Sequence, residues 1–348
     1  MTHRIVTYNL LSSRLARPDY FTSCQPRDLK SKVRLPKILD ALTGEVARGS
    51  ILCLQEVSTS WAGELHSFFA AHDYHLITAL YAGRKSGYMG VATAIPRARY
   101  SLETVRIERL SDGRDWSWLR HWTVTARNWA HAITRRMTSR IHLEHPQFFA
   151  QRRFNQLIFT RLQDRQTRVS FCVGNYHMPC VFFVGQVMTI HLAMLMQRMQ
   201  SLAGACPLIV TGDFNIRPGT DHYNLITTGK MSSESPDYPA CLPRDPWRPD
   251  LPRGYRSAYA EVLGREPAFT NYAQVRNAPP FCDTLDYIWL SPEWTAKSVR
   301  PLPSREEVGS PLPNENYPSD HLLLAADVEL PDPDQTDVRN QPDSRISV

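Results

Sequence analysis

Leu208-Ile209-Val210-Thr211-Gly212-Asp213-Phe214-Asn215 is the stretch on which the reading of this chain turns. Three aliphatic residues and a threonine make a short buried strand. Gly212 allows a turn, and the turn delivers Asp213 and Asn215. The same arrangement, a polar residue at the tip of an apolar strand, recurs along the sequence. Asn9 ends Ile5–Leu10, Gln55-Glu56 end Ile51–Leu54, and Asn175 and His177 end Val169–Tyr176. Asp286 opens Leu285–Leu290, and Asp320-His321 precede Leu322–Leu330. Tyr88–Ile95 and Gln156–Leu162 read as further strands.

Helical patterns separate these strands. Ile38, Leu39, Leu42 and Val46 share a face, with Pro36 at the first helical position. Trp61, Leu65, Phe68 and Phe69 mark a second helix, and Val187–Met199 runs without a breaker as a third. Alternation of this kind predicts an α/β fold with sheets inside and helices outside. In such a fold strand ends gather at one rim, where sites form.

Composition bounds the rest. Apolar residues make up 42% of 348, enough for a sizeable core, which excludes wholesale disorder. No apolar run approaches the roughly 20 residues that span a bilayer. Met1-Thr2-His3-Arg4 leads straight into the apolar pattern, so no signal peptide is expected, and the chain reads as intracellular and cytoplasmic. Seven scattered cysteines without a CxxC pair argue against a disulfide framework. The net charge of +6 is uneven: residues 97–168 hold 15 Arg, no Lys and 6 acids. A polyanionic partner and a solvated arginine face both fit that imbalance. Residues 1–330 read as one catalytic domain, 232–256 as a Pro-rich surface loop, and 331–348 as a disordered acidic tail.

Any one of the strand-end residues could be a helix cap or an Asx turn. Six in this order are hard to obtain by chance. A rim with several carboxylates, two Asn and two His suits a hard cation such as Mg²⁺ or Mn²⁺. The remaining amides and imidazoles suit an anionic oxygen. The set fits metal-assisted attack of water on a phosphate ester.

The motif order resembles the endonuclease/exonuclease/phosphatase superfamily. It is carried by Thr7-Tyr8-Asn9-Leu10-Leu11, Leu54-Gln55-Glu56-Val57, Asn175-Tyr176-His177, Gly212-Asp213-Phe214-Asn215, Leu285-Asp286-Tyr287-Ile288 and Ser319-Asp320-His321. Tyr8-Asn9-Leu10-Leu11, Ser257-Ala258-Tyr259 with Phe269-Thr270-Asn271-Tyr272, and Leu312–Pro318 resemble its deadenylase-like branch. That branch holds carbon catabolite repressor-type deadenylases, nocturnin, angel and 2′,5′-phosphodiesterase. The resemblance implies a four-layer α/β/β/α sandwich of two mixed β-sheets, the DNase I-like fold. It also implies Mg²⁺ or Mn²⁺, one or two ions, with Glu56 as main ligand, Asn9 supporting and Asp320 at a second ion. Asp213 would orient or deprotonate water, Asn215 hold the scissile phosphate and His177 donate to a non-bridging oxygen. Asp286 and His321 would form an Asp–His pair, and Asn175 would contact substrate. Phe281 stands where these enzymes carry an adenine-stacking aromatic; an ordinary loop anchor fits it equally.

The implied activity is that of a Mg²⁺-dependent 3′–5′ exoribonuclease on single-stranded RNA. The alternatives are a nocturnin-like phosphatase or phosphodiesterase on an adenine nucleotide, a DNA-repair endonuclease, a lipid phosphatase and a non-catalytic binding module. The sequence after His177, Met178-Pro179-Cys180-Val181-Phe182-Phe183, departs from the family pattern and leaves the recognised base open. Residues 111–150 carry four Trp and six Arg. Three readings stand: a helical insertion packing its Trp on the sheet, an RNA contact through residues such as Arg120 and Arg127, and a membrane-surface contact. No obligate protein partner is evident.

Overall fold

The computed structural model describes residues 1–81, 89–116, 146–240 and 245–331. Arg120 and Arg127, most of the Trp/Arg segment and the acidic tail lie outside the described residues. In chain order the elements are β1 (Thr2–Asn9), α1 (Ser31–Val46), β2 (Ile51–Ser58), α2 (Thr59–Ala71), β3 (Tyr74–Tyr81), β4 (Met89–Pro96) and β5 (Tyr100–Arg109). Next come α3 (Pro146–Gln151), β6 (Gln156–Asp164), β7 (Ser170–His177), α4 (Gly185–Ala203), β8 (Leu208–Asp213) and α5 (Asp221–Thr228). The chain continues with β9 (Arg256–Ser257), α6 (Ala258–Leu263), β10 (Asn271–Ala273), β11 (Phe281–Asp283), β12 (Asp286–Leu290), β13 (Thr295–Val299), α7 (Arg305–Val308) and β14 (Leu324–Glu329).

Two six-stranded mixed sheets form the centre, in the orders β13-β14-β1-β2-β4-β3 and β5-β6-β7-β8-β12-β9. Each contains one parallel neighbour pair, β1 with β2 and β7 with β8. The central strands β1, β2, β4, β7, β8 and β12 are buried on both faces, and their side chains alternate with period two. Ile5, Ile51 and Cys53 point inward and meet Phe171, Val173, Ile209 and Ile288 of the other sheet. Val6, Leu52 and Leu54 point outward and pack under Ile38 and Leu42 of α1 and Trp61, Leu65 and Phe69 of α2. On the far side Cys172, Leu208 and Val210 pack under Val187, Ile190, Leu195 and Met199 of α4. The result is the expected α/β/β/α sandwich. Each fully buried aliphatic side chain contributes roughly 1.5–3 kcal/mol. No helix among the described residues is long and apolar enough to cross a membrane.

The structure departs from the sequence reading in places. Pro36 is the sixth residue of α1 rather than its first, so the helix starts one and a half turns earlier. β3, β5, β13 and the β10–β11 hairpin were not expected; they are short, or half-exposed without a clean alternation. The six described cysteines are unpaired. Trp116 and Arg114, from the start of the Trp/Arg segment, are packed inside. The Arg114 guanidinium lies 4.4 Å from the Trp116 ring and 4.2 Å from the Trp247 ring, and it pairs with Asp245. That contact ties the Pro-rich 232–256 loop to the body.

Gly212 is required by two constraints. Its φ is 148°, and a Cβ there would lie 1.8 Å from the Tyr176 carbonyl oxygen. Gly212→Ala is expected to cost about 3 kcal/mol or more, seen as a lower urea midpoint. A midpoint unchanged within error would contradict the close approach.

Two buried histidines predict acid lability. Burial holds both His3 and His191 down at about 4, with Arg99 adding to it at His3. In His191, Nδ1 faces the Tyr176 hydroxyl at 3.1 Å and Nε2 the Ala150 carbonyl at 3.0 Å, a pairing the neutral ring satisfies. The unfolded chain takes up these protons near pH 6.5 and the folded chain does not until about 4. Stability therefore falls as pH drops through this window, by about 3 kcal/mol per histidine. His191→Gln should flatten the slope of unfolding free energy against pH between those limits, and an unchanged slope would remove His191 from the account.

Candidate active site

The period-two alternation continues along the inner faces until it turns polar at one end. Ile5-Thr7-Asn9 do this on β1, Ile51-Cys53-Gln55 on β2, and Phe171-Val173-Asn175-His177 on β7. Ile209-Thr211-Asp213 do it on β8, and Ile288 with Asp286 on β12. Register then aligns the tips: His177 is opposite Asp213, and Asp213 is opposite Asp286. Asn9 reaches across from the other sheet, its Nδ2 donating to Asp213 Oδ2 at 2.9 Å. The backbone N–H of Asn215 donates to Asp213 Oδ1, also at 2.9 Å. Both Asp213 oxygens are thereby oriented.

Asp286 and His321 come together although neither strand ladder connects them. His321 Nδ1 lies 2.7 Å from Asp286 Oδ2, which also accepts from Thr270 Oγ1 at 2.6 Å. His321 Nε2 is then left facing Asp213 Oδ2 at 3.7 Å. His177 Nε2 lies 3.6 Å from Asp213 Oδ2 and 4.0 Å from Glu56 Oε1. The loop before β14 is held by Ser319, whose hydroxyl donates to the Asn9 carbonyl at 2.6 Å.

Glu56 does not end its strand, as its sequence position suggested; it lies inside β2, at a bulge. Leu54 pairs with Ala92 and Val57 with Gly90, so β2 carries one extra residue there. In phase, Glu56 would follow Leu52 and Leu54 toward the helices. Its φ of 54° turns it instead toward Ser12, whose N–H donates to Glu56 Oε2 at 2.8 Å. A left-handed non-glycine residue costs roughly 1–3 kcal/mol, a strain that gathers at functional sites.

The charges are not balanced by the protein. Among the described residues the ion-pair partners of Glu56, Asp213 and Asp286 are the two histidines; no Lys or Arg pairs with them or with Asp320. Burial, with Asp320 adding, pushes the Glu56 carboxyl up to about 7. Burial, with Asp286 adding against His321, pushes Asp213 up to about 6. Burial holds His177 below the ordinary imidazole range. At His321 burial opposes the proton, but Asp286, Asp213 and Asp320 outweigh it and hold the group well above that range. Asp286 Oδ1 and Asp320 Oδ1 are buried without a hydrogen-bond partner. Oxygen donors with surplus negative charge fit a hard divalent cation. Ligand atoms of Asp213, Asp286 and His321 all lie within 4.8 Å of one another. Asn9 gives its amide nitrogen to Asp213 and its oxygen to the Leu11 N–H, so its part is to orient Asp213.

Asn175 was expected to contact substrate, and its placement corrects that. It is fully buried, its Nδ2 donates to the Ala92 carbonyl at 2.8 Å, and its Oδ1 accepts from Gln55 Nε2 at 2.9 Å. It ties the two sheets together below the site. Asn215, with φ 52°, donates Nδ2 to the Met178 carbonyl at 3.0 Å and so holds the segment after His177. Phe281 is 39% exposed on the β10–β11 hairpin, and Phe182 and Phe183 are more exposed still. Sequence reasoning missed Thr270, Ser319 and Arg34. The buried Arg34 donates Nη2 to the Leu11 carbonyl at 2.6 Å and Nε to the Pro318 carbonyl, clamping the two loops that carry Ser12 and Asp320. Nothing in the local pattern of an amphipathic helix marks Arg34; its mates are 23 and 284 residues away.

Comparison with known proteins agrees with this arrangement. The model of the Endonuclease/Exonuclease/phosphatase family matches residues 6–321. The CCR4-Not complex 3′-5′-exoribonuclease subunit Ccr4 of Coccidioides immitis is 34% identical over 142 residues, covering 37% of this chain and 17% of that protein. The 2′,5′-phosphodiesterase 12 of Mus musculus is 25% identical over 357 residues, covering 94% of this chain and 51% of that protein. The chain thus spans about half or less of the length of these relatives. Among solved structures, ANGEL2, a 2′,3′-cyclic phosphatase, in complex with adenosine-2′,3′-vanadate superposes with a TM-score of 0.71 at 22% identity, covering 95% of this chain and 96% of that one. The human Nocturnin catalytic domain with bound sulfate gives 0.61 at 20%, covering 95% and 94%.

Proposed function

For a chain that belongs to the endonuclease/exonuclease/phosphatase family, and is thereby a phosphoesterase, we propose a Mg²⁺-dependent 3′–5′ exoribonuclease acting on single-stranded RNA. The observation that carries this reading is the cluster of Glu56, Asp213, Asp286 and Asp320, faced by two histidines and paired with no Lys or Arg among the described residues, which leaves negative charge in surplus. Glu56 would be the main ligand of Mg²⁺ or Mn²⁺, and Asp320 would serve a second ion. When bound, the cation neutralises charge that develops on the phosphate and leaving oxygens. Asp213, fixed at both oxygens, orients the attacking water and accepts its proton. His321 is held by Asp286 at Nδ1 and donates from Nε2 to a non-bridging oxygen. His177 and Asn215 flank the same phosphate.

The RNA substrate is supported by the Ccr4 likeness and by the exposed Phe281, an aromatic of the kind that stacks a base. A second reading, a phosphodiesterase or phosphatase on a short adenine nucleotide, is favoured by the match to 2′,5′-phosphodiesterase 12 over 94% of this chain. A Mg²⁺ panel separates them: labelled poly(A), mixed RNA, abasic DNA, 2′,5′-oligoadenylate, NADPH and inositol phosphates, with Glu56→Ala as the blank. The expected result is stepwise shortening of poly(A) from its 3′ end, at least about tenfold faster than any small substrate. Faster turnover of 2′,5′-oligoadenylate or NADPH would select the second reading.

A further inference from the structure

A group of donors beside the catalytic cluster has no well-formed acceptor among the described residues. Arg153 follows α3 and stands two residues before Asn155, whose Nδ2 donates to the His177 carbonyl at 2.8 Å. Asn155 also lies against the hydroxyl of Tyr81, the last residue of β3. Tyr81 packs with Val91 and Ile158 in one buried cluster, which closes the first sheet onto the second at this end. The end of β3 and the connection between α3 and β6 therefore bring Tyr81, Asn155 and Arg153 together beside His177.

Tyr81 is 7% exposed, and its buried hydroxyl has only the Asn155 side chain against it, without a well-formed hydrogen bond. The Nε of Arg153 and the Nδ1 of His177 are also buried without partners. The half-buried Arg153 guanidinium stands over Phe149 at 5.6 Å, and its peptide carbonyl is pinned by Arg109 Nε at 2.8 Å. Its titratable neighbours among the described residues are Tyr176, Tyr81 and Cys180, which are neutral at physiological pH, and no described carboxylate pairs with it. Cys180 in turn feels the charges of Asp213, Glu56 and Arg153, so it borders both groups. A cation held rigidly, partly desolvated and without a counter-ion costs free energy unless a ligand supplies the anion. A planar guanidinium beside a phenol suits phosphate oxygens.

We propose that Arg153 and Tyr81 form a phosphate subsite adjoining the catalytic cluster, which takes a second, non-scissile phosphate of the substrate. The identity of that ligand rests on the phosphoesterase reading above; the anion site itself does not. A second phosphate recognised in this way favours substrates carrying more than one phosphate over bare diesters.

The full chain, Arg153→Gln and Arg153→Lys are assayed with Mg²⁺ on adenylyl dinucleotides that are bare, 5′-phosphorylated or 3′-phosphorylated. The native chain is expected to use one phosphorylated form about tenfold better in kcat/KM, through KM. Arg153→Gln should bring that ratio to about one, with Arg153→Lys between, because charge survives and the fork does not. No preference in the native chain, or a preference kept by Arg153→Gln, overturns the subsite. A parallel arm needs no turnover: thermal midpoints in EDTA with and without inorganic phosphate. The native midpoint should rise with phosphate, the rise should vanish in Arg153→Gln, and it should shrink in Tyr81→Phe. A chain inert on all three dinucleotides refutes the phosphoesterase reading alone, and a native midpoint indifferent to phosphate refutes the subsite alone.

Discussion

Replacing Glu56 with glutamine is expected to lower Mg²⁺-dependent phosphodiester hydrolysis by about 10³-fold or more while raising the thermal midpoint of the metal-free protein. The first effect follows from losing a charged oxygen ligand. A thousandfold loss corresponds to roughly 4 kcal/mol of barrier, within what a bound cation contributes. The second follows from burial. Glu56 is pushed from 4.5 to about 7 by desolvation and by Asp320. A carboxyl raised in the folded state destabilises it as pH climbs through that window, because the unfolded chain releases the proton more readily. At pH 8 and without metal, removing the charge should relieve on the order of 3 kcal/mol. The measurement pairs kcat/KM on an oligonucleotide with melting in EDTA. Activity within tenfold of the native chain would remove Glu56 from the ligand set. A lower midpoint would mean that an unrecognised cation already compensates the carboxylate.

Asp286→Asn should cost about 10³–10⁴-fold in kcat with little change in KM. The Asp286 carboxylate accepts at one oxygen from both His321 and Thr270, and so helps hold His321 doubly protonated, with Nε2–H left to donate. Asparagine carries no charge to hold that second proton, so His321 loses the imidazolium form that faces the developing charge, a loss of the size seen when an Asp–His pair is uncoupled. His321→Asn should lose about as much. Because the two act as a unit, the double variant should be no worse than the poorer single one. Losses that multiply would show that the residues act independently. A fall of less than fivefold in Asp286→Asn would sink the pair assignment.

Much of this site was legible because strand chemistry is local. Apolar strands followed by polar tips mark Asn9, His177, Asp213 and Asp286 without any three-dimensional information. Period two explains why: the inner-face series that buries Ile209 and Thr211 also points Asp213 inward. The same argument misplaced Glu56 and Asn175. Glu56 faces the site only because a bulge and a positive φ break its strand's phase. Asn175 obeys the phase but sits one step too deep, and its amide is spent on holding Ala92 and Gln55.

What the sequence by itself determined is an α/β fold with sheets inside and helices outside, the strand-end positions of most candidate site residues and the surplus of carboxylate. Each follows from composition and periodicity over fewer than ten residues, and the motif order relates them to one family. What only the tertiary structure decided is which of them touch. The 2.7 Å pairing of His321 with Asp286, the clamp of Arg34 on two loops and the hydrogen bond of Asn155 to the His177 carbonyl join distant segments. Sequence spacing carries no record of such contacts, because they are set by sheet register and by how two sheets close on each other, which the whole core determines at once.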